Sequence, residues 1–279
     1  ALRKAIEGIG KLRICLDSCK FYYTVTLELH FTVAVLCVYA NKLPLCLNYH
    51  LVSLHFHLIQ GAGTTESTLT EIFASRSNRQ IKALSEAYLA ETGRSMIHDL
   101  QSEVSGDYGK ALFILAEGKR DESTNVDTSK AKADAKALYE AGEKKWGTDE
   151  AKFIDILCHR SIPQLRQTLV EYKAISKKTL QDSIESEMSG NLEKILVAVV
   201  KCVKNVPAYL AERLFKSMKG LGTTESTLTR ILVSRSEIDL LDIRTEYKKL
   251  FGVSLYSQLE SEVSGSYGNA LKHLCGQDD

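Results

Sequence analysis

The sequence has little of what marks several common protein classes. Its 279 residues include only three prolines and one tryptophan, and 36 basic side chains face 35 acidic ones, for a formal net charge of +1. Nucleic-acid-binding proteins usually carry a basic excess or stripe, and none stands out here. We therefore expect no nucleic-acid partner. Bulk charge is also too small to hold the chain on an anionic membrane.

Long hydrophobic runs and paired cysteines are missing as well. The run Phe31–Ala40 follows Glu28 and His30 and is far shorter than the roughly 20 residues of a membrane-spanning helix. The seven cysteines are odd in number and show no paired spacing, which favours a reduced, intracellular protein. The charged, amphipathic start "ALRKAIEGIG" does not resemble a signal peptide.

The chain changes character near residue 60. Residues 11–60 are rich in aromatic and β-branched residues and have few helix caps, so we predict an atypical, irregular insertion. From Gly61 onward Ala, Leu, Glu and Lys are abundant, and apolar residues recur at three- and four-residue intervals. This pattern predicts an almost wholly helical, all-α protein.

The helical part repeats itself. "GAGTTESTLT" at 61–70 returns as "GLGTTESTLTR" at 220–230, and "WGTDEAKFIDILCHRS" at 146–161 is a third version. The loop glycines Gly63, Gly147 and Gly222 are separated by 84 and 75 residues. Since several helices fit into each interval, we predict an array of small helical bundles.

A carboxylate follows each glycine loop at a constant distance. Glu103, Glu187 and Glu262 each lie 40 residues after a loop glycine and just before a Ser-Gly turn. Glycines tolerate positive φ, which lets successive carbonyls point outward. Outward carbonyls with one bidentate carboxylate make an oxygen-only site of the kind that Ca²⁺ prefers.

The residues after the loops are typical of helix starts. We predict that Thr64, Thr148 and Thr223 each cap the following helix, with Glu66, Asp149, Glu150 and Glu225 in the first turns. Neither the phosphate-binding "GxxxxGK[ST]" pattern nor the twelve-residue EF-hand pattern is present.

These repeats resemble the annexin family. The segments "KGLGTTE", "KKWGTDE", "SRSEIDLLDIR", "VPAYLAERLFKSMKG" and "LCGQDD" carry the resemblance, which covers about 61–279. It implies an array of five-helix repeats forming a curved disc, with calcium-binding loops on the convex face. Residues 61–125, 126–203 and 204–279 would be repeats two, three and four, and 1–10 a remnant of a first repeat that is truncated or replaced.

The resemblance also implies the calcium ligands, which are three backbone carbonyls and one carboxylate in each repeat. The predicted sets are Ile59, Gly61, Gly63 and Glu103; Gly142, Lys145, Gly147 and Glu187; and Met218, Gly220, Gly222 and Glu262. Lys144, Trp146 and Lys219 would contact the membrane. The expected function is calcium-dependent binding of a cytoplasmic protein to anionic phospholipids such as phosphatidylserine.

A second set of charges suggests an alternative function. Glu71 and Arg230 occupy matching positions in "TLTEI" and "TLTRI", which predicts a charge pair between repeats, and Arg76 recurs as Arg160 and Arg235. The recurring arginines would either form structural ion pairs or, as the resemblance implies, lie with Glu71 and Arg230 in a polar centre of the disc, where they could pass ions. A hydrolase is a third class, but no catalytic triad can be assembled, so we expect no enzyme.

Overall fold

The computed structural model describes residues 66–144, 147–219 and 223–277. These residues form fourteen α-helices and no β-strand, which confirms the all-α prediction. The helices are α1 (Glu66–Ser75), α2 (Asn78–Thr92), α3 (Met96–Glu103), α4 (Gly106–Ala116), α5 (Thr128–Ala141), α6 (Glu150–His159), α7 (Ile162–Ser176), α8 (Leu180–Glu187), α9 (Gly190–Lys204), α10 (Val206–Met218), α11 (Glu225–Arg235), α12 (Leu240–Phe251), α13 (Leu255–Glu262) and α14 (Gly265–Cys275). The predicted remnant 1–10 and insertion 11–60 lie outside these residues.

The helices recur in a fixed order. A helix of 10 or 11 residues is followed by a longer one, then by one of eight residues, and then by one that begins at a Ser-Gly turn. This order appears as α1–α4, α6–α9 and α11–α14, while α5 and α10 precede the second and third groups. Two of the three groups therefore have five helices within the described residues.

Local sequence explains where the helices begin and end. Ser77 caps α2 in a reciprocal arrangement with Gln80, and Thr179 does the same for α8 with Asp182. Gly93 ends α2 in the left-handed conformation, with φ 69°, which favours glycine. The equivalent residue after α7 is Lys177, which is forced into the same conformation with φ 63°.

The core is continuous across the first two helix groups. Helix α9 packs against α1 and α4, and α4 packs against α6. Large apolar side chains such as Leu69, Phe153 and Leu196 are fully buried there. Cys158 and Cys202 are both buried thiols, and burial raises the pKa of Cys158 to about 12.

Candidate functional site

The loop that joins α5 to α6 is closed at its base by backbone hydrogen bonds. The amide of Asp149 donates to the carbonyl of Ala141 at 2.8 Å, and the amide of Lys144 donates to the carbonyl of Tyr139 at 3.2 Å. Gly147 lies in the loop with φ 85°, a conformation that favours glycine. The described part of this loop thus has the tight, glycine-dependent turn that the sequence predicts.

The C-terminal end of α8 lies beside this loop. The hydroxyl Oγ1 of Thr148 donates to the backbone carbonyl of Glu187 at 3.2 Å. Glu187 is the last residue of α8 and is exposed. Folding therefore brings Gly147 and Thr148 next to a carboxylate residue that lies 40 positions later in the chain.

A glutamate within the loop fastens it to two other helices. Oε1 of Glu143 accepts a hydrogen bond from the Tyr172 hydroxyl of α7 at 3.3 Å and another from the Ser183 hydroxyl of α8. Burial and the nearby Glu143 charge contribute to raising the pKa of Tyr172 to about 12. Sequence reasoning missed this contact, although the recurring tyrosine in "EAY", "VEY" and "TEY" was a signal for it.

The loop that joins α10 to α11 has a similar closure. The amide of Thr224 donates to the carbonyl of Ser217 at 2.8 Å. Met218, whose carbonyl is a predicted ligand, is buried at the end of α10, and the adjacent Lys219 is exposed with its amine 5.7 Å from the centre of the Phe215 ring.

The three predicted carboxylates occupy equivalent places. Glu103, Glu187 and Glu262 are the last residues of α3, α8 and α13, and all three are exposed. Oε1 of Glu262 accepts a hydrogen bond from Gln258 at 3.0 Å. Within residues 66–144, 147–219 and 223–277, no three His, Cys, Asp or Glu side chains come together as a metal-binding group.

The predicted threonine caps are wrong by one residue in both described loops. Asp149, not Thr148, caps α6, and its side chain accepts from the amide of Lys152. Thr224, not Thr223, is the cap residue of α11. Asp149 takes this role in α6 because its carboxylate accepts from the Lys152 amide, while the Thr148 hydroxyl contacts the end of α8. Glu66, Glu150 and Glu225 lie in the first turns of their helices as predicted, whereas Asp149 precedes the first turn as the cap residue.

Several predicted residues lie outside the described part of the chain. They are Ile59, Gly61, Gly63, Thr64, Lys145, Trp146, Gly220 and Gly222. The described members of the second-repeat, third-repeat and fourth-repeat sets include Glu103, Gly142 and Met218. Gly142 is buried and its amide donates to the carbonyl of Leu138 at 3.1 Å.

A separate buried cluster joins the first and third helix groups. Both oxygens of Glu71 in α1 accept hydrogen bonds from the Arg230 guanidinium of α11 at 2.8 Å, and Arg213 adds a third at 3.2 Å. Burial by itself raises the pKa of Glu71, but the charges of Arg230 and Arg213 outweigh it, so the pKa lies below its ordinary value. The predicted charge pair is present.

Two of the recurring arginines form ion pairs within their own helix groups. Arg160 binds Asp134 through Nε at 2.8 Å, and Arg235 binds Asp239 through Nε at 2.6 Å. Arg76 instead donates to the hydroxyls of Ser75 at 2.7 Å and Ser234 at 2.9 Å, which links α1 to α11. The same sequence position thus serves different contacts in the three groups.

Comparison with known proteins identifies the helix groups. The family model described as Annexin matches residues 54–115, 133–199 and 209–274. The chain belongs to the annexin family. It is 56% identical to annexin A3 of Homo sapiens over 221 residues, which are 79% of this chain and 68% of that relative.

Solved annexin structures agree with this assignment. The structure titled "ANNEXIN III" matches with a TM-score of 0.81 and 53% identity, covering 84% of this chain and 72% of that one. A structure described as calcium-bound annexin (Sm)1 matches with a TM-score of 0.73 and 34% identity, covering 83% and 70%. The predicted annexin-type repeat array is therefore confirmed.

Family membership fixes the general class of the protein. Annexins are in general calcium-dependent phospholipid-binding proteins that associate peripherally with membranes, and in general they are not enzymes. None of the annexin helices in the described residues has the length and apolar character needed to cross a bilayer.

Proposed function

We propose that this chain docks reversibly on anionic membranes through calcium held between its glycine loops and the glutamates that follow them. In the third repeat the ligands would be the carbonyls of Gly142, Lys145 and Gly147 with the carboxylate of Glu187. The contact between Thr148 and Glu187, at 3.2 Å, is the observation that supports this site most directly, because it brings loop and acid together.

The residues fit a hard cation. Gly147 has positive φ and Glu187 is exposed, so the loop offers backbone oxygens beside a carboxylate that is free to turn toward them. Three carbonyls and one bidentate carboxylate supply five oxygens, whereas Ca²⁺ takes six to eight. When bound, the ion would supply the positive charge that a nearly neutral protein lacks at an anionic surface.

This incomplete ligand set makes binding conditional on lipid. Phosphate oxygens of the bilayer would fill the remaining positions, so lipid and calcium each tighten the other's binding by the same factor. Equivalent sites ending in Glu103 and Glu262 would act together, since binding at one loop raises the effective concentration at the next. We further propose that exposed Lys144 and Lys219, with Trp146, contact the headgroups of a membrane facing the cytoplasm.

Glu143 has a supporting role in this proposal. Its bonds to Tyr172 and Ser183 hold the loop against α7 and α8, the helix that ends at Glu187. The loop is therefore positioned before any ligand binds, which lowers the ordering cost of binding.

The test is sedimentation with phosphatidylserine vesicles across a calcium titration. Changing Glu187→Gln removes one ligand charge and should raise the calcium concentration for half-maximal sedimentation several-fold. The matched control is Glu185→Gln, because Glu185 is exposed on the same helix and loses the same charge. Equal titrations for the two variants, or sedimentation that persists with chelator, would remove this site from the proposal.

Ion permeation through the polar centre is the alternative, and the buried cluster gives it less support. Glu71 and Arg230 are 0% and 2% exposed, and arginines occupy both carboxylate oxygens. A carboxylate paired in this way has no free oxygen to offer a passing cation. Calcium-dependent conductance across planar bilayers that vanishes on changing Glu71→Gln, in protein that remains folded, would favour the alternative.

A further inference from the structure

A cleft of about 810 Å³ lies at the helix ends away from the calcium loops. It is lined by residues from five separate stretches, namely 73–81, 120–124, 162–166, 202–207 and 235–239, together with Leu115. The stretches include the C-terminal ends of α1 and α11. The proposed calcium loop of the fourth repeat precedes the N-terminal end of α11, about 16 Å away along an eleven-residue helix.

Basic side chains outnumber acidic ones around the cleft. The basic residues are Arg76, Arg120, Arg166, Lys204 and Arg235, and the acidic residues are Asp121, Glu122 and Asp239. Two of the acids are already engaged, since Asp239 binds Arg235 and Asp121 accepts hydrogen bonds from Ser123. The cleft therefore retains positive charge that its own carboxylates do not neutralise.

Two of these arginines lie close to each other, with Arg235 buried and Arg76 half-buried. Burial, followed by repulsion from Arg235, lowers the pKa of Arg76 to about 10. Within the described part of the chain, Arg76 donates only to two neutral hydroxyls, those of Ser75 and Ser234. A bound anion would relieve the repulsion between the two guanidinium groups.

Arg235 has a donor without an acceptor. The residue is 4% exposed, and its Nη1 is buried with no hydrogen-bond partner among the described residues, although Nε and Nη2 bind Asp239. Buried donors are nearly always satisfied, because an unmade bond leaves the full cost of desolvation. The geometry of the cleft thus provides a buried, charged donor that calls for an external acceptor.

Helix termini add to the positive potential. Helices α2, α7 and α10 begin at the cleft, where Asn78, Ile162 and Val206 form part of its lining. The side chains of Ser77, Ser161 and Asn205 each accept from the third amide of their helix. The dipoles of the three helices add a field that favours an anion at these N-termini.

We infer that this cleft binds a small, freely dissolved phosphate ester, with the phosphate held between Arg235 and Arg76 and the exposed Arg166 and Lys204 at its mouth. Guanidinium groups suit phosphate because they donate two parallel hydrogen bonds. Ile162, Pro163 and Ile238, the last 50% exposed, form an apolar wall for the organic part of the ligand. The position of the cleft lets it bind this ligand independently of the calcium loops.

The test is isothermal titration of the full-length chain in chelator and at constant ionic strength, with inorganic phosphate and phenyl phosphate as probes. We expect saturable binding of both, tighter for phenyl phosphate, and a loss of about tenfold or more in Arg235→Gln. Arg166→Gln, at an exposed position, should weaken binding severalfold without loss of fold. Lys152→Gln removes an exposed positive charge on α6 that is not part of the cleft, and should bind as the unchanged chain does.

Phosphate binding in the cleft can be tested separately from the proposed calcium sites. Glu187→Gln should bind phenyl phosphate normally even where it fails to sediment with vesicles. Absence of saturable binding, or equal weakening in Lys152→Gln and Arg166→Gln, would overturn the inference. Binding of phosphatidylserine vesicles in chelator that Arg235→Gln abolishes would also overturn it, because the phosphate would then come from lipid.

Discussion

Helices α1 and α6 are equivalent copies of one element, but the acidic residue at the matching position is buried in α1 and exposed in α6. Glu71 of α1 is 0% exposed and bonded to Arg230, which holds the matching position in α11. Asp155 of α6 is exposed, and its partner is His159 on its own helix at 3.3 Å. One sequence position therefore joins two repeats in one place and faces solvent in another.

The difference follows from what covers each helix. Helix α1 packs against α9 through apolar side chains, and its charged position meets Arg213 of α10 and Arg230 of α11. A carboxylate there is stable only while the guanidinium groups remain, because burial alone disfavours its charge. The contribution of an acidic residue to the free energy of unfolding therefore differs between equivalent positions of annexin repeats. It depends on the residues that surround the carboxylate.

Glu71→Gln is expected to give the largest effect. It leaves the buried charge of Arg230 without its partner, and breaking such a pair by removing one member costs about 3–5 kcal/mol. Urea unfolding should show this loss in the free energy of unfolding. The matched control is Asp155→Asn, which should stay within about 0.5 kcal/mol because the site is exposed. A similar loss at both positions would remove the contrast.

Removing the charge of Arg230 together with that of Glu71 should recover part of the lost free energy of unfolding. In the double variant Glu71→Gln with Arg230→Met the unpaired charge is gone, so the variant should unfold less easily than Glu71→Gln alone. Close, coupled residues give interaction energies of about 0.5–3 kcal/mol. A double-mutant cycle built with Arg230→Met provides the measurement. Strict additivity would mean that the two residues act separately.

Lowering the pH should destabilise the unchanged chain more than the double variant. The pKa of Glu71 lies below its ordinary value of 4.5 because the nearby arginines outweigh burial. The stability that this carboxylate contributes is therefore complete above about pH 4.5 and is lost as pH falls through the depressed pKa. Urea midpoints measured from pH 6 to pH 3 should fall more steeply for the unchanged chain, and parallel curves would argue against a charged Glu71.

Much of the fold could be read from the repeats, because helix periodicity and the loop spacing are local or regular signals. The pairing of Glu71 with Arg230 was also predictable, since matching positions in two copies carried opposite charges. Placement of the caps was not, because Thr148 and Asp149 are adjacent and both are residue types that cap helices, so the sequence alone does not choose between them.

The candidate sites likewise contain some residues that the sequence could predict and others that it could not. The constant spacing pointed to Glu187, whose backbone does contact the loop through Thr148, whereas Glu143 was missed because its partners Tyr172 and Ser183 come from two other helices. The basic cleft was missed entirely. Its arginines come from separate stretches of the chain, and the overall charge of +1 conceals them.

The smallest effect concerns a third position at which the copies differ. Gly93 after α2 and Gly252 after α12 have φ of 69° and 76°, whereas the equivalent Lys177 adopts φ 63° with a side chain. A non-glycine residue in this conformation destabilises the folded state by about 1–2 kcal/mol. Substitution by glycine recovers only part of this energy, because glycine also gives the unfolded chain more conformational freedom. Lys177→Gly should therefore stabilise the protein by about 0.5–1 kcal/mol.

This gain should appear as a rise of about 1–4 °C in the thermal midpoint. Lys178→Gly is the control, because Lys178 is also exposed but does not have positive φ. Glycine there only adds freedom to the unfolded chain, so the midpoint should stay level or fall. A rise in both variants would trace the effect to the lost lysine charge, and the end of α7 would then no longer distinguish the second helix group from the other two.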